Sequence, residues 1–257
     1  MTPIRTSALL AILAMPACSL PRVEWSPQRF ERQVQAPPTR APDAASRLRV
    51  AAAAEASGQS DIALSMYGAA AAAAPGDAAS QARFAGALAR SGNITQAEEV
   101  VTAALTRRPG DVTLLVQLGR MRLRAGTADQ ALQLFDQALA ADGGNAGALD
   151  GRGVALDLVG RHSEAQESYR RALAVKPGEV TPTNNLAMSL LLAGRPAEAI
   201  AVLETIAGRA GIPARVGNNL AIARAAAGDS ANARNMLSQR EGAEDLDSLV
   251  IGLRPPG

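Results

Sequence analysis

The sequence has one cysteine, one histidine and one lysine, and aromatic residues make up only 2% of it. A lone cysteine, Cys18, excludes an intrachain disulfide. With His162 as the single imidazole, a histidine-based triad, a cysteine–histidine pair and a His/Cys metal cluster are unavailable. No Gly-x-Ser-x-Gly elbow occurs, and Lys176 follows Val175 rather than the glycine of a phosphate loop. Scarce aromatics and abundant alanine argue against a large β-sheet core and for helices. The net charge of +2, carried almost entirely by arginine, gives no case for nucleic acid. The expectation is a non-enzymatic protein with no cofactor and no metal.

The longest apolar stretch near the start, Ala8 to Met15 behind Arg5, is too short to span a bilayer and reads as the core of an export signal over residues 1–17. It ends in Met15-Pro16-Ala17-Cys18, which resembles a bacterial lipobox, with Met15 where that pattern prefers Leu and Pro16 where it prefers a small residue. The resemblance implies a diacylglyceryl group on Cys18. With Ser19 in place of a retention Asp, it also implies a lipid-anchored protein on the periplasmic face of the outer membrane. The alternative is an ordinary secretory signal and a soluble periplasmic protein. Prolines at 21, 27, 37, 38 and 42 make residues 18–43 an extended tether, with Trp25 and Phe30 its only large aromatic groups.

Glycines 58, 92, 126, 160, 194 and 228 are spaced by 34 residues without a single insertion. Five residues after each stands an alanine: Ala63, Ala97, Ala131, Ala165, Ala199 and Ala233. Compositional bias cannot phase two residue types in this way, and a 34-residue period is the mark of tetratricopeptide helix-turn-helix units. The chain is therefore expected to be all-α, a right-handed solenoid of about six such repeats over 44–247, with a C-terminal tail at 248–257. The units run 44–77, 78–111, 112–145, 146–179, 180–213 and 214–247. Pro75, Pro109 and Pro177 should end second helices, and Asp77 and Asp111 should cap the next first helices. Gly143 and Gly211 replace that proline in units three and five, where the joints should bend differently. Asn232, Arg234, Asn235 and Ser238 suit the last unit to a water-facing end, and Leu246, Leu249, Val250, Ile251 and Leu253 suit the tail to a short closing helix.

Stacked units form a concave surface lined mainly by first helices. By resemblance to tetratricopeptide proteins, positions two, five, six, nine, twelve and thirteen of each unit face it. The candidate partner-binding residues are Gln117, Arg120 and Arg124 in unit three, Asn184, Asn185, Met188 and Leu192 in unit five, and Asn218 and Asn219 in unit six. The paired asparagines recur at the period, and amides can grip a peptide backbone through donor and acceptor alike; the alternative is that they belong to the repeat itself. Arg49, Arg83, Arg90, Arg120 and Arg124 make the N-terminal half more basic, which suits an acidic partner segment unless this is a solvated face. Position five carries no lysine, which speaks against the carboxylate-clamp ligands of chaperone-binding repeats.

The lipoprotein-like start, the tether and the run Asn184-Asn185-Leu186-Ala187-Met188-Ser189-Leu190-Leu191-Leu192-Ala193-Gly194-Arg195 resemble the TadD family of repeat lipoproteins from the tight-adherence (Flp) pilus. That resemblance implies an assembly role with the pilus machinery or its secretin pore as partners. The competing expectation is a periplasmic adaptor for cell-wall hydrolases or proteases.

Overall fold

The computed structural model describes residues 43–238. Cys18, the tether and the tail, with the expectations attached to them, lie outside that range. Within it are twelve α-helices and no strand. Unit one holds α1 (Ala44–Ala56) and α2 (Ser60–Ala73), unit two α3 (Ala78–Arg90) and α4 (Ile94–Arg107), and unit three α5 (Val112–Arg124) and α6 (Ala128–Ala141). Unit four holds α7 (Ala146–Leu158) and α8 (His162–Val175), unit five α9 (Val180–Leu192) and α10 (Pro196–Ala207), and unit six α11 (Ala214–Ala226) and α12 (Ser230–Ser238). Each helix packs on the next in the chain, and from α3 onward each first helix also touches the first helix of the following unit, as a solenoid requires.

The phased glycines are the turns within units. All six have φ between 71° and 95°, a left-handed conformation that costs glycine nothing and other residues dearly. At Gly126 the amide donates to the Leu123 carbonyl and the next amide, Thr127, reaches back to Arg122, closing the helix in a Schellman arrangement. The same pair of bonds recurs at Gly160 and Gly194. The alanine five residues on then allows the two helices to meet: all six phased alanines are at most 3% exposed.

In units one to four the starts of first helices follow from short polar side chains. Asp77 accepts from the Ser80 amide at 2.9 Å and Asp111 from the amides of Thr113 and Leu114 at 3.0 and 3.2 Å, satisfying donors that have no partner inside the helix. Asn145 does the same for Ala148 in unit four. Pro75, Pro109 and Pro177 each stand directly after the residue that closes a second helix. In unit five, where glycine replaces that proline, α10 stops at Ala207 and the chain crosses 208–213 without helix, so this joint departs from the others. Unit three does not: α6 keeps the full 14 residues of α4 and α8.

The core is a chain of local clusters. The largest joins units four to six through Tyr169, Leu190, Leu203, Ile206, Val216 and Leu220. One position recurs in every unit as Tyr67, Val101, Phe135, Tyr169, Leu203 and Leu237, and it is buried throughout. Where it is tyrosine, the residue twelve earlier is a carboxylate. Tyr67 donates to Glu55 at 2.8 Å and Tyr169 to Asp157 at 3.0 Å, as a buried phenol needs. Where it is Phe135, glycines stand opposite: a Cβ on Gly119 would lie 2.8 Å from the ring, and one on Gly151 would overlap it. Arginines staple the joints between units from the second-helix side. Arg107 reaches the Pro75 carbonyl, Arg171 that of Gly143 and Arg209 that of Gly178.

Candidate protein-binding groove

Because α3, α5, α7, α9 and α11 touch in succession, the same helical positions of neighbouring units share one face. That face divides into two chemically different halves.

The N-terminal half forms an open bay of about 490 Å³ between units one and four. Gln117 and Arg120, both expected in the groove, line it together with Thr113 and Val116 from α5 and Ala82, Arg83, Gly86 and Arg90 from α3. Lys176, at the end of α8, closes one side. Glu55 is the single carboxylate in the lining; it is bound by Arg90 at 2.5 Å and receives the Tyr67 hydroxyl. Burial and then the Glu55 carboxylate push the Tyr67 hydroxyl up from its usual pKa. Arg124, also expected in the groove, is exposed and does not line the bay.

In the C-terminal half the expected asparagines bridge units. Asn219 donates to the Oδ1 of Asn184 at 2.8 Å, and Asn185 donates to Asp150 at 3.0 Å. Both bonds join position six of one unit to position five of the unit before it, 35 residues away, so they are rungs of one polar ladder. Asn184 is buried and its carbonyl is engaged, while Asn218 is exposed. Burial of Asp150 raises its pKa, against the opposing pull of the Asn185 bond and the Arg120 charge. Above the ladder the surface is apolar. Met188 is half-buried against the core of units four to six, while Leu192 and its counterpart in unit four, Leu158, are 41% and 60% exposed.

Sequence reasoning missed a polar knot at Asp157. Its carboxylate accepts from Ser189 at 2.7 Å and from Tyr169, and stands 2.9 Å from the Nδ1 of His162. Serine, histidine and aspartate meet here, yet the Ser189 hydroxyl is fully buried and donates to the carboxylate rather than to the imidazole. The knot joins α7, α8 and α9 and presents no nucleophile. The visible signal was a carboxylate twelve residues before a tyrosine, in register with Glu55 and Tyr67 three periods earlier. Among the described residues, no three His, Cys, Asp or Glu side chains gather to hold a metal, and no helix is long and apolar enough to cross a membrane.

A protein of stacked helical hairpins with a lined concave face is an interaction scaffold in class. The tetratricopeptide repeat family model matches residues 48–112, 83–146 and 152–214, and the chain belongs to that family. Among curated proteins no sequence matches it. Of solved structures, it is similar to TTC0263, a thermophilic tetratricopeptide-repeat protein of Thermus thermophilus, with 24% identity and a TM-score of 0.62 over 70% of this chain and 98% of that one. PilW, a widely conserved type IV pilus biogenesis factor, is 18% identical with a TM-score of 0.67, over 80% and 98% of the two chains. PilF of Pseudomonas aeruginosa is 14% identical with a TM-score of 0.63, over 81% and 97%. At these identities the likeness is one of fold.

Proposed function

We propose that this chain is a non-enzymatic scaffold that assists assembly of a Tad-type (Flp) pilus or its secretin, held by a lipid on Cys18 at the periplasmic face of the outer membrane. The observation that carries the reading is the groove itself: a face built from the same positions of successive first helices, ending in exposed Leu158 and Leu192, whose apolar area is stabilised by covering it with another chain. The TadD-like run from Asn184 to Arg195 builds the α9 wall of that groove and the turn after it. The fold shared with PilW, a type IV pilus biogenesis factor, supports the same direction. An acyl anchor stabilised by about 0.8 kcal/mol for each buried CH₂ would keep such a scaffold beside an outer-membrane pore.

The test is affinity capture from envelope membranes, comparing the wild type with Cys18→Ser. Secretin and pilus-machine proteins should be recovered with the membrane-bound wild type, and the variant should move to the soluble periplasm. Recovery of cell-wall hydrolases or proteases instead would replace the pilus reading with an adaptor role, and identical soluble behaviour of both forms would remove the anchor.

A further inference from the structure

We infer that the bay between units one and four is a receptor for an extended, acidic segment of a protein partner. The inference rests on the scaffold reading and adds the chemistry of what is held. Four cations, Arg83, Arg90, Arg120 and Lys176, face one carboxylate, Glu55, which Arg90 and Tyr67 already engage. Arg83 stands beside the Tyr67 hydroxyl. Arg120 and Lys176 form no ion pair among the described residues; the carboxylate that acts on Arg120 is Asp150, whose oxygen holds Asn185. The bay therefore has surplus positive charge that the fold does not neutralise.

The arrangement selects an extended chain over a compact anion. The cations sit on α3, α5 and the end of α8, and packed helices run about 8–10 Å apart. That spread resembles carboxylates on every second residue of an extended strand, roughly 7 Å apart, whereas one phosphate would need converging donors. Between the cations lies Gln117, half-buried and without a hydrogen bond among the described residues. Its amide can pair with a peptide group through both donor and acceptor. Gly86 leaves room for that contact: a Cβ there would approach the Gln117 nitrogen to 3.1 Å. Single-stranded nucleic acid fits less well, because the one aromatic ring in the lining, Tyr67, is 2% exposed and offers no stacking face.

The measurement is fluorescence anisotropy on the full chain, with a labelled decapeptide alternating Glu and Ala against its Gln–Ala counterpart. The Glu peptide should bind at least about tenfold more tightly and lose affinity as salt rises. Arg83→Glu and Arg120→Glu should each weaken it by about tenfold while keeping the helical circular-dichroism spectrum of the wild type at the assay temperature, Arg120→Lys should retain most of it, and Arg170→Glu, on the exposed side of α8, should leave it unaltered. Equal binding of both peptides, or indifference to Arg120→Glu, would overturn the inference. So would displacement by millimolar inorganic phosphate, tighter binding of a thymidine decanucleotide, or binding seen only after deletion of 239–257, which would assign the bay to the chain's own tail. Failure here with pilus proteins still captured removes the acidic segment and keeps the scaffold; peptide binding with other proteins captured does the reverse.

Discussion

Ala131 has no exposed surface and lies where α6 crosses α5, so every methylene added there must displace a neighbour. Ala131→Leu should lower stability by about 1–3 kcal/mol, measured by urea denaturation, whereas the same change at exposed Ala140 should be neutral within about 0.5 kcal/mol. Asp150 behaves differently because its cost depends on pH. Burial raises its pKa above the ordinary 3.8, so the fold favours the neutral carboxyl. That contribution is fully present below pH 3.8 and is lost as the pH rises through the raised folded value. Asp150→Asn keeps an acceptor for Asn185 and copies the Asn219–Asn184 rung. It should therefore raise the melting temperature at about pH 7 and change it little at about pH 3; a lower melting temperature near neutrality would show that the Arg120 attraction outweighs burial. The alanine phase was legible because it repeats six times in register. The ladder was only half legible: the amide pairs stood out, but their partners are 35 residues away, and one rung uses a carboxylate in place of an amide.

At the scale of elements, the sequence marks ends more plainly than it marks interiors. Asp77 and Asp111 were readable as caps because each follows a proline or glycine stop and opens an apolar run. The Ser80 hydroxyl and amide hold the Asp77 carboxyl below its usual pKa, so the cap's contribution is present above pH 3.8 and is lost as the pH falls through the depressed value. Asp77→Ala should cost about 1 kcal/mol at about pH 7, or about 2–4 °C in melting temperature, and the difference from wild type should shrink in acid. The early stop of α10 was readable as a departure, though not its extent, since Gly208 and Gly211 each permit a break and packing selects between them. The tyrosine–carboxylate bonds from second to first helix were invisible to helix periodicity. They follow from the shared depth of one position per unit, which is a property of the stack and of no single helix.

At the scale of the whole repeat domain, residues 43–238 are a row of neighbours, and stability should vary along the row. Each unit is held by its own hairpin and by the units beside it, so among the described residues a terminal unit has a neighbouring unit on one side only. In unit six, α11 contributes Val216, Leu220 and Ala223 to the large cluster of units four to six, whereas the buried residues of α12, Ala233 and Leu237, belong to a small cluster with Ala221 and Ala225, and the half-buried Met236 alone of α12 packs against the large one. The polar links from unit six to unit five are the Asn219–Asn184 bond and the Arg224–Glu204 ion pair at 3.0 Å. Amide hydrogen exchange should therefore find α12 opening at a lower free energy than α5 to α8, which have packed units on both sides. Asn219→Ala leaves the buried Asn184 carbonyl without its donor, at a cost of about 1–3 kcal/mol. If the stack is a chain of local couplings, that cost will speed exchange in α11 and α12 and leave α3 to α6 unchanged. A uniform acceleration across all helices would instead mean that the units unfold as one, and the groove would then respond to a partner along its whole length.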